Sequence, residues 1–157
     1  MKNKAPYKPV QHRELIIAVV VAALYAPTVY ADCGKNKILF SCPTIKGKKI
    51  EVCDSGKTID YSFGKAQKKP EIAIKIPREK ASTFQWAGIG RYESYAIDIP
   101  NGKATYNVFW GVDRLSDEHA VEAGVNVLID QKLMTTVNCS GENIVNNIQG
   151  LDLKATE

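Results

Sequence analysis

The segment RYESYAIDIPNGKATYNVFW, Arg91 to Trp110, constrains this chain more than any other, because turn chemistry and side-chain alternation agree within it. Asn101-Gly102 is a pair suited to a type I′ turn, in which both central residues take positive φ. A turn centred there sets Ile99 opposite Ala104, Ile97 opposite Tyr106 and Tyr95 opposite Val108, and on the other face Asp98 opposite Thr105 and Ala96 opposite Asn107. One face is apolar and the other polar, as a half-buried β-hairpin requires. Pro100 alone does not suit the pattern, since it has no N–H to give to a ladder.

The same period of two recurs along the chain. KILFSC places Ile38, Phe40 and Cys42 on one face, and KKIEVC places Ile50 and Val52 together with Cys53 opposite them. TIDYSF buries Ile59, Tyr61 and Phe63, EIAIKI buries Ile72, Ile74 and Ile76, and GVNVLID buries Val125, Val127 and Ile129. LMTTVNC directs Leu133, Thr135, Val137 and Cys139 inward, with Ile129 facing Leu133 across Asp130-Gln131-Lys132. STFQW is the weakest strand signal. About eight strands at regular spacing predict an all-β fold, a small antiparallel barrel or sandwich. Two segments carry helix signals: SDEHAVEAG, with Ser116 as N-cap and Gly124 as stop, and ENIVNNIQGL, a short C-terminal helix.

Residues 1–31 read as a signal peptide: a basic leader, an apolar run and a small-residue end at Ala31. The run from Leu15 to Tyr25 is shorter than the roughly 20 apolar residues that span a bilayer, and Asp32 stands where lipidation at Cys33 wants a small residue. Residues 32–157 then form a single β-domain, expected in the periplasm or outside the cell, with no membrane contact after signal removal. Losing Lys2, Lys4, Lys8, Arg13 and Glu14 lowers the net charge from +4 to +1. The charge is uneven, with lysines concentrated before residue 80 and carboxylates after it.

Four cysteines in an exported chain predict two disulfides, with three connectivities open by count alone. Alternation chooses among them. With a loop of Lys46-Gly47-Lys48, Cys42 opposes Val52 and points inward with Cys139, while Cys53 points outward. The expected bridges are Cys42 to Cys139 and Cys33 to Cys53.

Strands that alternate in direction gather the longer loops at one end, where Lys46, Lys48, Lys49, Lys65, Lys68 and Lys69 lie near Arg91, Tyr92, Asp117, Glu118 and His119. His119 is the sole histidine beyond the leader and has no nucleophile motif beside it. A metal site of Glu118, His119 and Glu122 requires a helical face. Neither catalysis nor a cofactor is expected. Export and a charge near zero argue against nucleic acid. Phe109 belongs to the outward set of its strand and is a contact candidate.

Phe40-Ser41-Cys42, Val137-Asn138-Cys139, Gly90-Arg91-Tyr92 and a strand ending Phe109-Trp110 together resemble the bacterial periplasmic and membrane-bound inhibitors of c-type lysozyme. More broadly, the chain resembles small exported bacterial β-domain proteins of unassigned function. The inhibitor resemblance implies an eight-stranded barrel closed by a disulfide between first and last strands, and two loop motifs that meet the lysozyme cleft. AGIGRY matches the tyrosine of one motif at Tyr92 without its serine, and SDEHA matches the alanine of the other at Ala120 without its Lys-Gly. The expected function is therefore an exported protein that binds a protein partner, an inhibitor of a lysozyme-like cell-wall hydrolase acting by cleft occlusion. Its contacts would be Arg91, Tyr92, Asp117, Glu118 and Phe109. The alternatives are immunity against an exported toxin and, from another class, an envelope enzyme or metal-binding protein centred on His119.

Overall fold

A computed structural model describes residues 33–156; the expected leader and its cleavage site lie outside the described residues. Four strands, β1 (Lys37–Pro43), β2 (Lys48–Asp54), β3 (Thr58–Lys65) and β4 (Ile72–Pro77), form an antiparallel meander. A single 3-10 turn, Arg78–Lys80, leads to the second sheet. There β5 (Ser82–Gln85), β6 (Tyr92–Asn101), β7 (Ala104–Asp113), β8 (Val121–Ile129) and β9 (Lys132–Asn138) pair in sequence order. Two short strands from the tail complete the sheets: β10 (Val145–Asn146) lies outside β1, and β11 (Lys154–Ala155) runs parallel beside β5.

The fold is all-β, and its two sheets form a sandwich rather than a closed barrel. No ladder joins β4 to β5, and β1 meets the end of β9 through the isolated Thr44–Cys139 bridge and the Ser140 N–H, which donates to the Pro43 carbonyl at 2.8 Å. Phe40, Ile50, Val52, Ile59 and Tyr61 of the first sheet face Tyr95, Ile97, Ile99, Val108 and Val125 of the second, all buried. The rings of Tyr61 and Tyr106 meet between the sheets with centroids 5.0 Å apart. These described residues thus hold a complete core of their own.

Both bridges pair as expected: Cys33 with Cys53, and Cys42 with Cys139, the latter joining the two sheets. Such bridges persist in an oxidising, extracellular-type compartment. Among the described residues, no helix is long and apolar enough to cross a membrane.

Three registers differ from expectation, each for an identifiable reason. The β6–β7 turn is Gly102-Lys103, with positive φ at Gly102 alone, the pattern of type II′. Asn101 therefore pairs with Ala104, and Ile99 faces Tyr106 rather than Ala104. The cause is Pro100. In this register it occupies a position that exchanges no hydrogen bonds with β7, and its other side lies beyond β5, whose pairing stops at Asp98. The shift is two residues, so every side chain keeps its face.

Cys42 faces Ile50 rather than Val52, because the β1–β2 turn closes earlier, with the Thr44 N–H donating to the Lys48 carbonyl at 2.7 Å. A bulge at Leu39 then lets both Leu39 and Phe40 enter the core. The β8–β9 turn is Asp130-Gln131, both at positive φ, so Ile129 pairs with Lys132; a bulge at Met134 restores the expected Val125–Val137 pairing. Leu133 and Thr135 are exposed rather than inward, because β9 is the outer edge of its sheet. The two expected helices do not form: residues 116–120 are turns leading into β8, and the C-terminal segment contributes β10 and an irregular crossing.

That crossing ties the sheets together. The Asn147 N–H donates to the Leu39 carbonyl at 2.8 Å on the first sheet. Gln85 of the second sheet donates through Nε2 to the Ile148 carbonyl at 3.0 Å and accepts from the Gly150 N–H at 2.9 Å. Ile148 and Leu151 are buried between the sheets.

Candidate protein-docking end of the sandwich

Two loops of the second sheet, 86–91 before β6 and 114–120 after β7, are held together from their bases upward. Tyr92 and Asp113 form the outermost pair of the β6–β7 ladder, and the Arg114 N–H donates to the Arg91 carbonyl at 2.9 Å. Arg91 grips Asp113 with two parallel bonds, Nε to Oδ1 at 2.9 Å and Nη2 to Oδ2 at 2.5 Å. Asp113 Oδ1 also accepts the Leu115 N–H at 3.0 Å, which sets the following turn. Arg91 holds the Asp113 carboxyl below its usual range, chiefly through the hydrogen bond, helped by the Leu115 N–H.

The inner side of the same loops is built on Trp86. Its indole N–H donates to the Ile89 carbonyl at 2.8 Å, and the Arg114 guanidinium lies over the ring at 4.7 Å. Arg114 also approaches Glu93 at 3.7 Å, and Glu93 accepts the Tyr95 hydroxyl at 3.0 Å. This frame presents two apolar side chains to solvent, Ile89 at 84% exposure and Leu115 at 73%.

Tyr92, 41% exposed, lies across the sheet surface with its ring over Gly111, where a β-carbon would stand 2.6 to 2.8 Å from the phenol. Its hydroxyl donates to Glu122 Oε2 at 2.8 Å. Burial first, then Glu122, push the phenol pKa up to about 12. Phe109 points outward one rung further along, beside a shallow hollow of ≈ 470 Å³ that Glu122, Thr136 and Asn138 also line. Asp117 and Glu118 are exposed on the 114–120 loop and enter no ion pair among the described residues.

The candidates from sequence therefore gather in two groups. Arg91 lies with the loop frame, as Asp117 and Glu118 do; Tyr92 lies with Phe109 beside Glu122. His119 takes positive φ in a turn, its N–H bonded to Ser116. Without a helix, the spacing that would align it with Glu118 and Glu122 is lost, and the Glu122 carboxylate is engaged by Tyr92. The one metal-type cluster among the described residues is Cys33, Glu51 and Cys53, and its sulfurs are joined in a disulfide rather than offered as thiolates.

Sequence reasoning missed Ile89, Leu115 and the Trp86–Arg114 stack. A signal was present: Ile89 stands between two glycines and Leu115 between Arg114 and Ser116, so neither belongs to an alternating apolar set. Compared with protein-family models, curated proteins and solved structures, the chain finds no match.

Proposed function

We propose that this chain is an exported binding protein, freed of residues 1–31 and acting in the periplasm or outside the cell. Its loop end enters the cleft of a protein partner, in the first place a lysozyme-like cell-wall hydrolase. The observation that supports this most is the pair of apolar tips, Ile89 and Leu115, exposed on loops stiffened by Arg91–Asp113 and by Arg114 on Trp86. Exposed apolar side chains on an ordered frame favour association, because they lose contact with water without a large ordering cost. Asp117 and Glu118 at the rim suit a basic enzyme by charge. Tyr92 offers the edge of its ring on the sheet surface beside Glu122. Inhibition is by occlusion, so no bond is made or broken and no cofactor is needed.

Titration calorimetry of the oxidised domain against a c-type lysozyme, paired with an assay of cell-wall hydrolysis, tests the reading. Wild type should bind and inhibit; Leu115→Asp and Ile89→Asp should each weaken both by about tenfold or more with unchanged melting temperature. An absence of binding to lysozymes refutes this partner and turns the search to exported toxins.

A further inference from the structure

The first sheet ends in two loops whose chemistry differs from the docking frame. The β1–β2 turn raises Ile45 to 81% exposure, the β3–β4 loop spans residues 66–71, and the two are neighbours because Lys48 at the start of β2 pairs with Lys65 at the end of β3. Six lysines stand here. Lys48 is bonded to Glu71 at 2.6 Å and lies over the Phe63 ring, and Lys49 is paired with the buried Glu51. Lys46, Lys65, Lys68 and Lys69 are exposed and have no carboxylate partner among the described residues. Lys65 and Lys68 line one small hollow with Lys49 and Ser62, so two of the free charges share a surface.

We infer that this end of the first sheet docks on an anionic lipid surface, with Ile45 entering the headgroup layer and Lys46, Lys65, Lys68 and Lys69 meeting the phosphates. An apolar tip on loops that carry lysines without carboxylate partners matches such a surface in both of its components. Polyanions in solution match only the charge, because they offer no apolar layer for Ile45. The second-sheet tips do not fit a lipid surface, since Asp117 and Glu118 stand beside Leu115 and the nearby arginines are already paired. The inference is independent of the partner proposed above and places a membrane surface where the sequence suggests none.

Vesicle co-sedimentation of oxidised residues 32–157 tests it, using phosphatidylcholine vesicles with and without an equal part of phosphatidylglycerol. Binding is expected to the mixed vesicles alone and to fall with added salt. Lys65→Gln/Lys68→Gln/Lys69→Gln should reduce the partition coefficient by about fivefold per lysine, and Ile45→Asp should reduce it by a comparable total. Ile89→Asp should leave it unchanged. The inference fails if wild type does not prefer the mixed vesicles. It also fails if Ile45→Asp binds as wild type while tripolyphosphate binds to the free protein and competes fully, which would identify a polyanion site without lipid insertion. All four of these positions lie outside the core, so thermal melts should match wild type and keep loss of binding distinct from loss of fold.

Discussion

Tyr92 on β6 reaches over Gly111 on β7 to donate its hydroxyl to Glu122 on β8, at 2.8 Å. One side chain thereby spans three strands at the base of the 86–91 and 114–120 loops. The contact joins an aromatic with an accessible edge to the carboxylate beside the Phe109 hollow.

The phenol of Tyr92 should titrate at about 12 rather than near its ordinary value of 10.0, first because of burial and then because of Glu122. Glu122→Gln should bring it down part of the way, and difference spectrophotometry at alkaline pH measures the change. The folded-state pKa is raised, so the stabilising contribution is fully present below the unfolded phenol value and is lost as pH rises from there through about 12. Tyr61, raised further by burial, acts in the same direction. Stability should therefore begin to fall as pH rises through the ordinary tyrosine value, and Tyr61→Phe should lessen the fall.

Gly111→Ala should displace the Tyr92 ring, because the new methyl group would overlap the phenol. The cost to stability should be small, about 1 kcal/mol, since the ring can swing into solvent. The Tyr92–Glu122 bond should be lost, and Tyr92 should then titrate closer to a free phenol. A melt together with the same alkaline titration checks both effects.

The two disulfides should contribute unequally. Cys42–Cys139 closes a separation of 97 residues and Cys33–Cys53 one of 20. In the chain-entropy account these loops stabilise by about 4 to 5 and about 3 kcal/mol respectively. Denaturant midpoints of the paired alanine variants measure the difference, and the longer-range pair should be the more damaging to remove.

Glu51 is buried; one carboxylate oxygen accepts the Lys49 ammonium, and the other, Oε2, has no partner. Lys49→Ala should destabilise the fold by about 3 kcal/mol, because it leaves a buried charge uncompensated, whereas Glu51→Met should be neutral or stabilising by about 1 kcal/mol. Equilibrium unfolding in urea distinguishes the two. Equal losses would mean that solvent reaches the carboxylate.

Much of the fold was legible from alternation, and the disulfides show why. Inward Cys42 and Cys139 and outward Cys53 depend on parity, which survived the two-residue shifts in the hairpins. Register was less legible, because Pro100 moved one turn and Leu39 and Met134 each introduced a bulge. The helix signals failed where short polar segments had a strand to join. Val121 and Glu122 pair with β7, and Val145 and Asn146 with β1, so tertiary pairing overrides local propensity. In the candidate site, the proximity of Arg91 and Tyr92 was legible from sequence neighbourhood. Their acceptors Asp113 and Glu122 lie 22 and 30 residues away, and no local pattern connects them.

The tail from Ser140 to Thr156 supplies an edge strand to one sheet, an edge strand to the other, and Ile148 and Leu151 between them. These residues follow every long strand in the chain. Until they arrive, the outer side of β1 lacks β10, β5 lacks β11, and the interior is open on one side. Cys139 also waits just ahead of them, so the sheet-joining bridge cannot close earlier. A fold whose closing pieces follow all of its long strands in the chain can complete its core only after both sheets have formed, so its last folding step depends on contacts made far along the sequence.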